Sequence, residues 1–149
     1  MNKITLTLVL QRAKVWSALP SKQDIHQWIM SSLLEDADVT VRLIDEDEGR
    51  NLNNQFRSKD YATNVLTFPY PETSPLSGDI ALCIPVIERE ARAQNKTVRD
   101  HLAHLCIHAT LHLQNFDHQN TADREVMENM EIDTLQKIGI SNPYEEKIS

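Results

Sequence analysis

Three histidines, His108, His112 and His118, recur within eleven residues, at offsets of zero, four and ten. Residues four apart in a helix lie on the same face, about 5.4 Å apart along the axis, so His108 and His112 can turn both rings toward one ion. A third ligand at His118 requires the helix to end and the chain to fold back. Asn115 suits that exit, because asparagine tolerates the left-handed conformation that ends many helices. The segment predicts a metal site on a helix and the following turn.

The ligand type predicts one zinc ion with an open coordination position. Three neutral imidazoles leave zinc its full charge and room for one water, which is the pattern of catalytic rather than structural zinc. Such an ion lowers the pKa of its water to about 7 and polarises an acyl or phosphoryl oxygen. Imidazoles also accept nickel, copper or iron, so the residues do not fix the metal. The competing interpretation is a set of unrelated surface or core histidines.

Three more residues lie close to this motif in the sequence. His101 and His104 precede His108 on nearly the same helical face. Two interpretations are open for each of them. In the first, the histidine supports a metal ligand or faces substrate; in the second, it lies at the edge of the core with its hydrogen bonds satisfied. Asp117 either orients a ligand imidazole through its second nitrogen or shapes the turn. Asp117 and His104 are therefore candidates for supporting the metal ligands.

Composition excludes several classes of protein. The chain has 149 residues, enough for one domain, and a net charge of −7. This charge argues against broad adhesion to nucleic acid or anionic membranes, so DNA and membrane partners are not expected, and an RNA must be gripped by a local patch. Cys83 and Cys106 fit no metal or redox spacing and indicate buried small hydrophobes, which is compatible with a reducing cytoplasm. No apolar run is long enough to span a bilayer, and no signal peptide is recognisable.

The predicted elements run in the order strand, helix, strand, helix, strand and strand, and helices follow to the end of the chain. Pro69 is expected to stop the third strand, and the acidic run 45–48 indicates a solvated turn or helix start rather than a cation site. The order predicts a single α/β (α+β) domain over 1–149, with a mixed sheet of about four strands packed with helices and a frayed tail at about 141–149. The predicted strands cover about 4–10, 39–43, 63–68 and 78–84, and the predicted helices follow Ser21, Pro85 and Thr97 or cover about 51–60 and 121–138.

The histidine spacing equals that of the metzincin peptidases, H-E-x-x-H-x-x-G-x-x-H, whose Glu is the general base. Ala109 occupies that place here. Without a positioned base, a peptidase would forfeit roughly 10²–10⁴-fold in rate, which disfavours proteolysis. Phosphoryl transfer depends less on a carboxylate beside the metal, because charge stabilisation carries most of its catalysis.

Four separated motifs resemble one family, the YbeY-type single-strand-specific endoribonucleases of ribosomal RNA maturation. The resemblance spans most of the chain, from about Leu43 to Gly139. Segments 52–57, 63–69 and 78–80 resemble that family's L-N-x-x-[YF]-R, T-[DN]-V-L-[ST]-F-P and G-D-I motifs. The family's H-G-x-L-H-L-x-G-Y-D-H motif is matched at His108, Leu111, His112, Leu113, Asp117 and His118. Three positions depart from it, namely Ala109 and Asn115 in place of glycines and Phe116 in place of tyrosine.

The resemblance implies a zinc triad of His108, His112 and His118 and a functionally important Arg57, which by itself would be taken for a solvated charge. It implies a hydrolase that cuts single-stranded RNA near the mature 3′ end of small-subunit ribosomal RNA and acts in ribosome quality control. Arg57 and His112 are then the residues whose loss should abolish cleavage. The implied partners in a bacterial cytoplasm are small-subunit ribosomal proteins and an assembly GTPase. The alternatives are a metzincin-like zinc peptidase without its Glu and a non-catalytic, zinc-bound ribosome assembly factor.

Overall fold

A computed structural model describes residues 3–14, 16, 19–70, 75–116 and 120–144, and in these ranges it contains four strands and five helices. Among these residues no helix is both long and apolar enough to cross a membrane. The strands are β1 (Leu6–Arg12), β2 (Ala37–Ile44), β3 (Val65–Tyr70) and β4 (Leu76–Cys83). The helices are α1 (Lys22–Met30), α2 (Glu46–Arg57), α3 (Ile84–Ala93), α4 (Val98–Leu113) and α5 (Thr121–Lys137).

The four strands form one mixed sheet in the order β1-β2-β4-β3. β1, β2 and β4 run parallel, and β3 pairs antiparallel with β4 at the edge. The predicted α+β domain with a four-stranded mixed sheet is therefore confirmed. The predicted stop at Pro69 is wrong, because β3 continues to Tyr70 and Pro69 lies opposite Gly78. An edge strand accepts proline, since the missing N–H removes no hydrogen bond when that position faces outward.

The main core lies between one face of the sheet and helices α1 and α4. Alternate β2 residues Val39, Val41 and Leu43 point into it, as the period of a strand requires. A smaller core under α2 contains Ile44, Leu66, Ala81, Cys83 and Val86. Burial on both faces explains why β4 ends in a continuous apolar run, Ile80 to Cys83.

The acidic run 45–48 begins α2. The Asp45 carboxylate accepts a hydrogen bond of 2.9 Å from the Glu48 backbone N–H, and the three acids that follow Asp45 lie in the first helical turn. Negative charge is favourable there because of the helix dipole. Of the two interpretations, the helix start is confirmed.

Helix α4 ends as its sequence predicts. Asn115 adopts a left-handed φ of 73°. The Asn115 N–H donates to the His112 carbonyl at 3.0 Å, and the Phe116 N–H donates to the Leu111 carbonyl at 3.1 Å. This pair of bonds is a Schellman motif, which satisfies the last carbonyls and turns the chain away from the helix axis. The change of direction needed after His112 is thus built into residues 115–116.

Gly78 lets the end of α4 approach the sheet. A Cβ at this position would lie 2.5 Å from Leu113 Cδ2 and 3.2 Å from the Phe68 carbonyl oxygen. Leu113 is fully buried and follows His112 directly, so it has little room to move. Gly78→Ala is expected to lower the free energy of unfolding by about 1–3 kcal/mol through overpacking, measured by urea denaturation. Ser77→Ala on the same strand should change it by under about 0.5 kcal/mol; equal stability of the two variants would contradict this packing.

Both cysteines are buried, as the sequence predicts, at 1% exposure for Cys83 and 0% for Cys106. Burial raises the pKa of the Cys83 thiol and raises that of Cys106 to about 12. Because the thiolate is the reactive form, neither residue should react with a disulfide reagent such as DTNB in the native protein at pH 8. Unfolding in guanidinium should release two titratable thiols, and rapid labelling of the native chain would contradict this expectation.

Candidate metal centre

Helix α4 brings two of the three predicted ligands together. His108 and His112, both half-buried, place their Nε2 atoms 3.1 Å apart, with ring planes at 82°. Two imidazoles on one tetrahedral zinc, each at about 2.0–2.1 Å from the ion, hold their nitrogens about 3.3 Å apart. The spacing of the two rings therefore fits a shared metal ion.

The second nitrogen of His108 faces a buried carboxylate. His108 Nδ1 lies within hydrogen-bonding distance of Glu131 Oε1, and Glu131, on α5, is 0% exposed. An ionised carboxylate only accepts, so Nδ1 carries the proton and Nε2 presents its lone pair. The hydroxyl of Tyr144 donates to the other carboxylate oxygen, Glu131 Oε2, at 2.5 Å. Each oxygen of Glu131 thus has a partner.

His104, one turn earlier on α4, forms a cluster with His108, Glu131 and Tyr144. Its Nε2 lies 3.2 Å from the Tyr144 hydroxyl and 3.6 Å from Glu131 Oε1. One ligand atom from each of His104, His108 and Glu131 falls within 4.8 Å of the others, so these three residues could also hold a metal ion. His104 therefore lies beside His108, where the sequence placed a candidate supporting residue.

The cluster holds one buried negative charge. Burial by itself raises the pKa of the Glu131 carboxyl, but the polar N–H and O–H groups of His104, His108 and Tyr144 around it outweigh burial and lower this pKa to about 2. The pKa of Tyr144 is raised, first by burial and then by its bond to Glu131. At neutral pH the carboxylate is ionised and the phenol is protonated, which fixes the direction of the hydrogen bond between them.

His101 belongs to a separate contact. It is 3% exposed, and its Nε2 lies 2.9 Å from Glu90 Oε1, which also accepts from the Asn64 amide at 3.0 Å. Burial lowers the pKa of His101 and favours the neutral ring. His101 is thus a buried histidine at the core edge, but its Nδ1 has no hydrogen-bond partner among the described residues, so the ring is satisfied at one nitrogen rather than at both.

Arg57 is the last residue of α2, and its side chain is exposed. Within the described ranges it makes no hydrogen bond or ion pair, and the structure does not join it to His108 or His112. Four other arginines are held by carboxylates, in the pairs Arg42–Glu48, Arg50–Asp60, Arg89–Glu46 and Arg99–Asp24. The Arg57 guanidinium is thus not committed to a carboxylate in the described part of the chain.

Two predicted site residues, Asp117 and His118, lie outside the described residues. The third metal ligand and the role of Asp117 therefore remain predictions.

The sequence analysis missed Glu131 and Tyr144. A signal for Glu131 was present, because it lies four residues after Met127 and four before Leu135, on the apolar side of α5, and all three are buried. A carboxylate in the middle of an apolar stripe indicates a buried charge, which is costly unless a partner donates hydrogen bonds to it. Tyr144 falls in the tail expected to fray from about 141, yet its hydroxyl is bonded to Glu131; residues 145–149 lie outside the described part.

Comparison with known sequences decides the family. The profile described as "Endoribonuclease YbeY" matches residues 12–139. The chain belongs to the YbeY endoribonuclease family. A relative from Paraburkholderia phymatum, described as Endoribonuclease YbeY, is 47% identical over 96% of this chain and 97% of its own length. A YbeY relative from Ralstonia nicotianae is 46% identical over 97% of this chain and 81% of its own length.

The match covers only part of some YbeY relatives, and the fold has a counterpart among solved structures. A relative from Cupriavidus pinatubonensis is 51% identical over 86% of this chain, but that match covers only 65% of the relative. A Thermotoga maritima protein whose structure was solved in solution is 25% identical, with a TM-score of 0.56 over 95% of this chain and all of its own. The fold described above is therefore shared with a distant solved structure.

Proposed function

We propose that this chain is a metal-dependent endoribonuclease that cuts single-stranded RNA during ribosomal RNA processing. The observation that carries the proposal is the pair of Nε2 atoms of His108 and His112, 3.1 Å apart in a member of the YbeY family. Family membership supports this role over a zinc peptidase or a non-catalytic assembly factor. In addition, Ala109, at the place of the peptidase base, is 0% exposed in the main core.

His108, His112 and His118 are the proposed ligands of one zinc ion. Nδ1 of His108 is already bonded to Glu131, so the lone pair that can bind a metal is on Nε2 of that ring. Neutral nitrogen donors suit zinc, and they leave its charge uncompensated. When bound, the ion supplies positive charge that polarises a scissile phosphate. Other divalent transition metals satisfy the same donors, so metal analysis is part of the test below.

Arg57 is proposed to neutralise the charge that develops on the phosphate during cleavage. A guanidinium offers a planar fork of donors that matches two phosphate oxygens. The arginines paired with carboxylates are less available for this task, whereas Arg57 is exposed and makes no ion pair within the described ranges.

A cavity of about 360 Å³ beside His108, lined among others by His104, Lys96 and Asn64, provides room for part of an RNA strand.

The proposed setting is the bacterial cytoplasm, with small-subunit ribosomal proteins and an assembly GTPase as partners. A chain of net charge −7 gains little from nonspecific attraction to phosphates. The isolated chain is therefore expected to bind RNA weakly, and ribosomal partners would supply the specificity. Nanomolar binding of single-stranded RNA by the chain alone at physiological salt would contradict this part of the proposal.

The test combines metal analysis with RNA cleavage. Protein purified without added metal should contain about one transition-metal ion per chain, cut a single-stranded RNA, lose activity with a chelator and regain it with zinc. Products ending in a 2′,3′-cyclic phosphate would identify the ribose 2′-hydroxyl as the attacking group, whereas products with 3′-hydroxyl and 5′-phosphate ends would identify water. Casein should remain uncut. A metal-loaded protein that never cuts RNA would overturn the proposal, as would chelator-sensitive cleavage of casein.

A further inference from the structure

We propose that Glu131 and Tyr144 are positioning residues that hold His108 in the orientation needed to bind a metal ion. This inference rests on the proposed metal site. It assigns to α5 and to the segment after it a part in the site, whereas the proposed ligands come only from α4 and the turn that follows.

Glu131 determines which nitrogen of His108 is available. Its carboxylate is 0% exposed and accepts from His108 Nδ1, so the proton of the neutral ring stays on that nitrogen. The lone pair then lies on Nε2, which faces Nε2 of His112. Without the carboxylate, the imidazole can change tautomer or rotate, and the two Nε2 atoms lose their common direction. Carboxylates that orient metal-binding histidines in this way contribute about 10- to 100-fold to metal affinity.

Tyr144 braces Glu131 from the opposite side. Its hydroxyl donates to Oε2 at 2.5 Å, while His108 occupies Oε1, so the carboxylate is held between two donors. The phenol ring packs edge-on against His104, with centroids 5.4 Å apart and planes at 87°. Tyr144 touches Glu131 and His104 but is not hydrogen-bonded to His108 or His112, so it acts on the metal site through Glu131.

Two conservative variants and their combination test this order of action. Glu131→Gln keeps the side-chain size but removes the charge and one acceptor oxygen, and Tyr144→Phe removes only a hydroxyl. Tyr70→Phe is the matched control, because the Tyr70 hydroxyl also bonds to a carboxylate, that of Asp79, on strands β3 and β4. The measurements are the zinc dissociation constant from competition with a chelating dye, the visible spectrum of the cobalt-substituted protein and thermal unfolding of the metal-free protein.

Glu131→Gln is expected to weaken zinc binding by about 10- to 100-fold, and Tyr144→Phe by less, up to about 10-fold. The double variant should bind zinc no more weakly than Glu131→Gln alone, because the tyrosine acts through the glutamate. Both single variants should shift the cobalt spectrum, and Tyr70→Phe should leave affinity and spectrum unchanged. Tyr144→Phe removes one donor to the buried Glu131 carboxylate, so its metal-free form should stay folded but unfold at a somewhat lower temperature than the wild type.

Wild-type zinc affinity and cobalt spectra in both single variants would overturn the inference. Independent losses that multiply in the double variant would also overturn it, since they would show that Tyr144 does not act through Glu131. These outcomes are separate from failure of the proposed function. A wild-type chain that binds zinc but cuts no RNA leaves the positioning role intact, whereas a wild-type chain that binds no transition metal removes the site on which that role rests.

Discussion

Replacing His112 by alanine is expected to abolish RNA cleavage, with a loss of about 10³-fold or more, and to remove most of the bound metal. The variant loses one of the two nitrogen donors that lie 3.1 Å apart, and with it the fixed direction of the site. A catalytic metal contributes several kcal/mol of transition-state stabilisation, and each 1.4 kcal/mol corresponds to a tenfold change in rate. Metal content by elemental analysis and cleavage of a labelled single-stranded RNA measure the two losses.

His26→Ala is the control for this prediction. His26 lies on α1, and among the described residues its Nε2 makes only a long contact of 3.4 Å with the Leu6 carbonyl. Its replacement should leave metal content and cleavage close to wild type. A His112→Ala protein that keeps both stoichiometric metal and cleavage activity would show that the metal is held elsewhere, for instance by the cluster of His104, His108 and Glu131.

Arg57→Ala is expected to reduce cleavage by about 10²- to 10³-fold while leaving metal content unchanged. Loss of one donor aimed at developing transition-state charge has an effect of this size in other enzymes. Metal content should not change, because Arg57 is on α2 and makes no hydrogen bond to the described histidines. The prediction separates the roles of the two residues, since His112→Ala loses metal and Arg57→Ala does not.

Lys59→Ala removes another exposed cation two residues beyond Arg57 and therefore controls for a general loss of positive charge. Cleavage by Lys59→Ala should stay within a few-fold of wild type. Equal losses in both variants would indicate nonspecific attraction of RNA rather than a specific donor at Arg57. If Arg57→Ala binds and cuts RNA as the wild type does, the proposed role of this arginine is wrong, and RNA binding without any cutting by the wild type would favour the assembly-factor alternative.

The local elements and their order could be predicted from the residues alone. Alternating apolar residues predicted β1 and β2, and the four-residue spacing of His108 and His112 predicted a shared helical face, because both patterns follow from the period of a single element. The helix exit at Asn115 was also predictable, since a left-handed residue with two bonds back to the preceding turn needs only neighbouring residues. The error at Pro69 arose because a strand's position at the sheet edge is not a local property.

The surroundings of His108 depend on how distant elements pack together. Glu131 is 23 residues away from it, and Tyr144 is 13 residues beyond Glu131, so no helical or strand period links the three side chains. Their meeting depends on how α5 packs against α4 and where the chain runs after α5. The sequence therefore predicted a pair of histidines able to share an ion. The packing of α5 sets which nitrogen of His108 is turned toward His112. The reason is that a buried carboxylate must be matched by hydrogen-bond donors from whatever element lies against it.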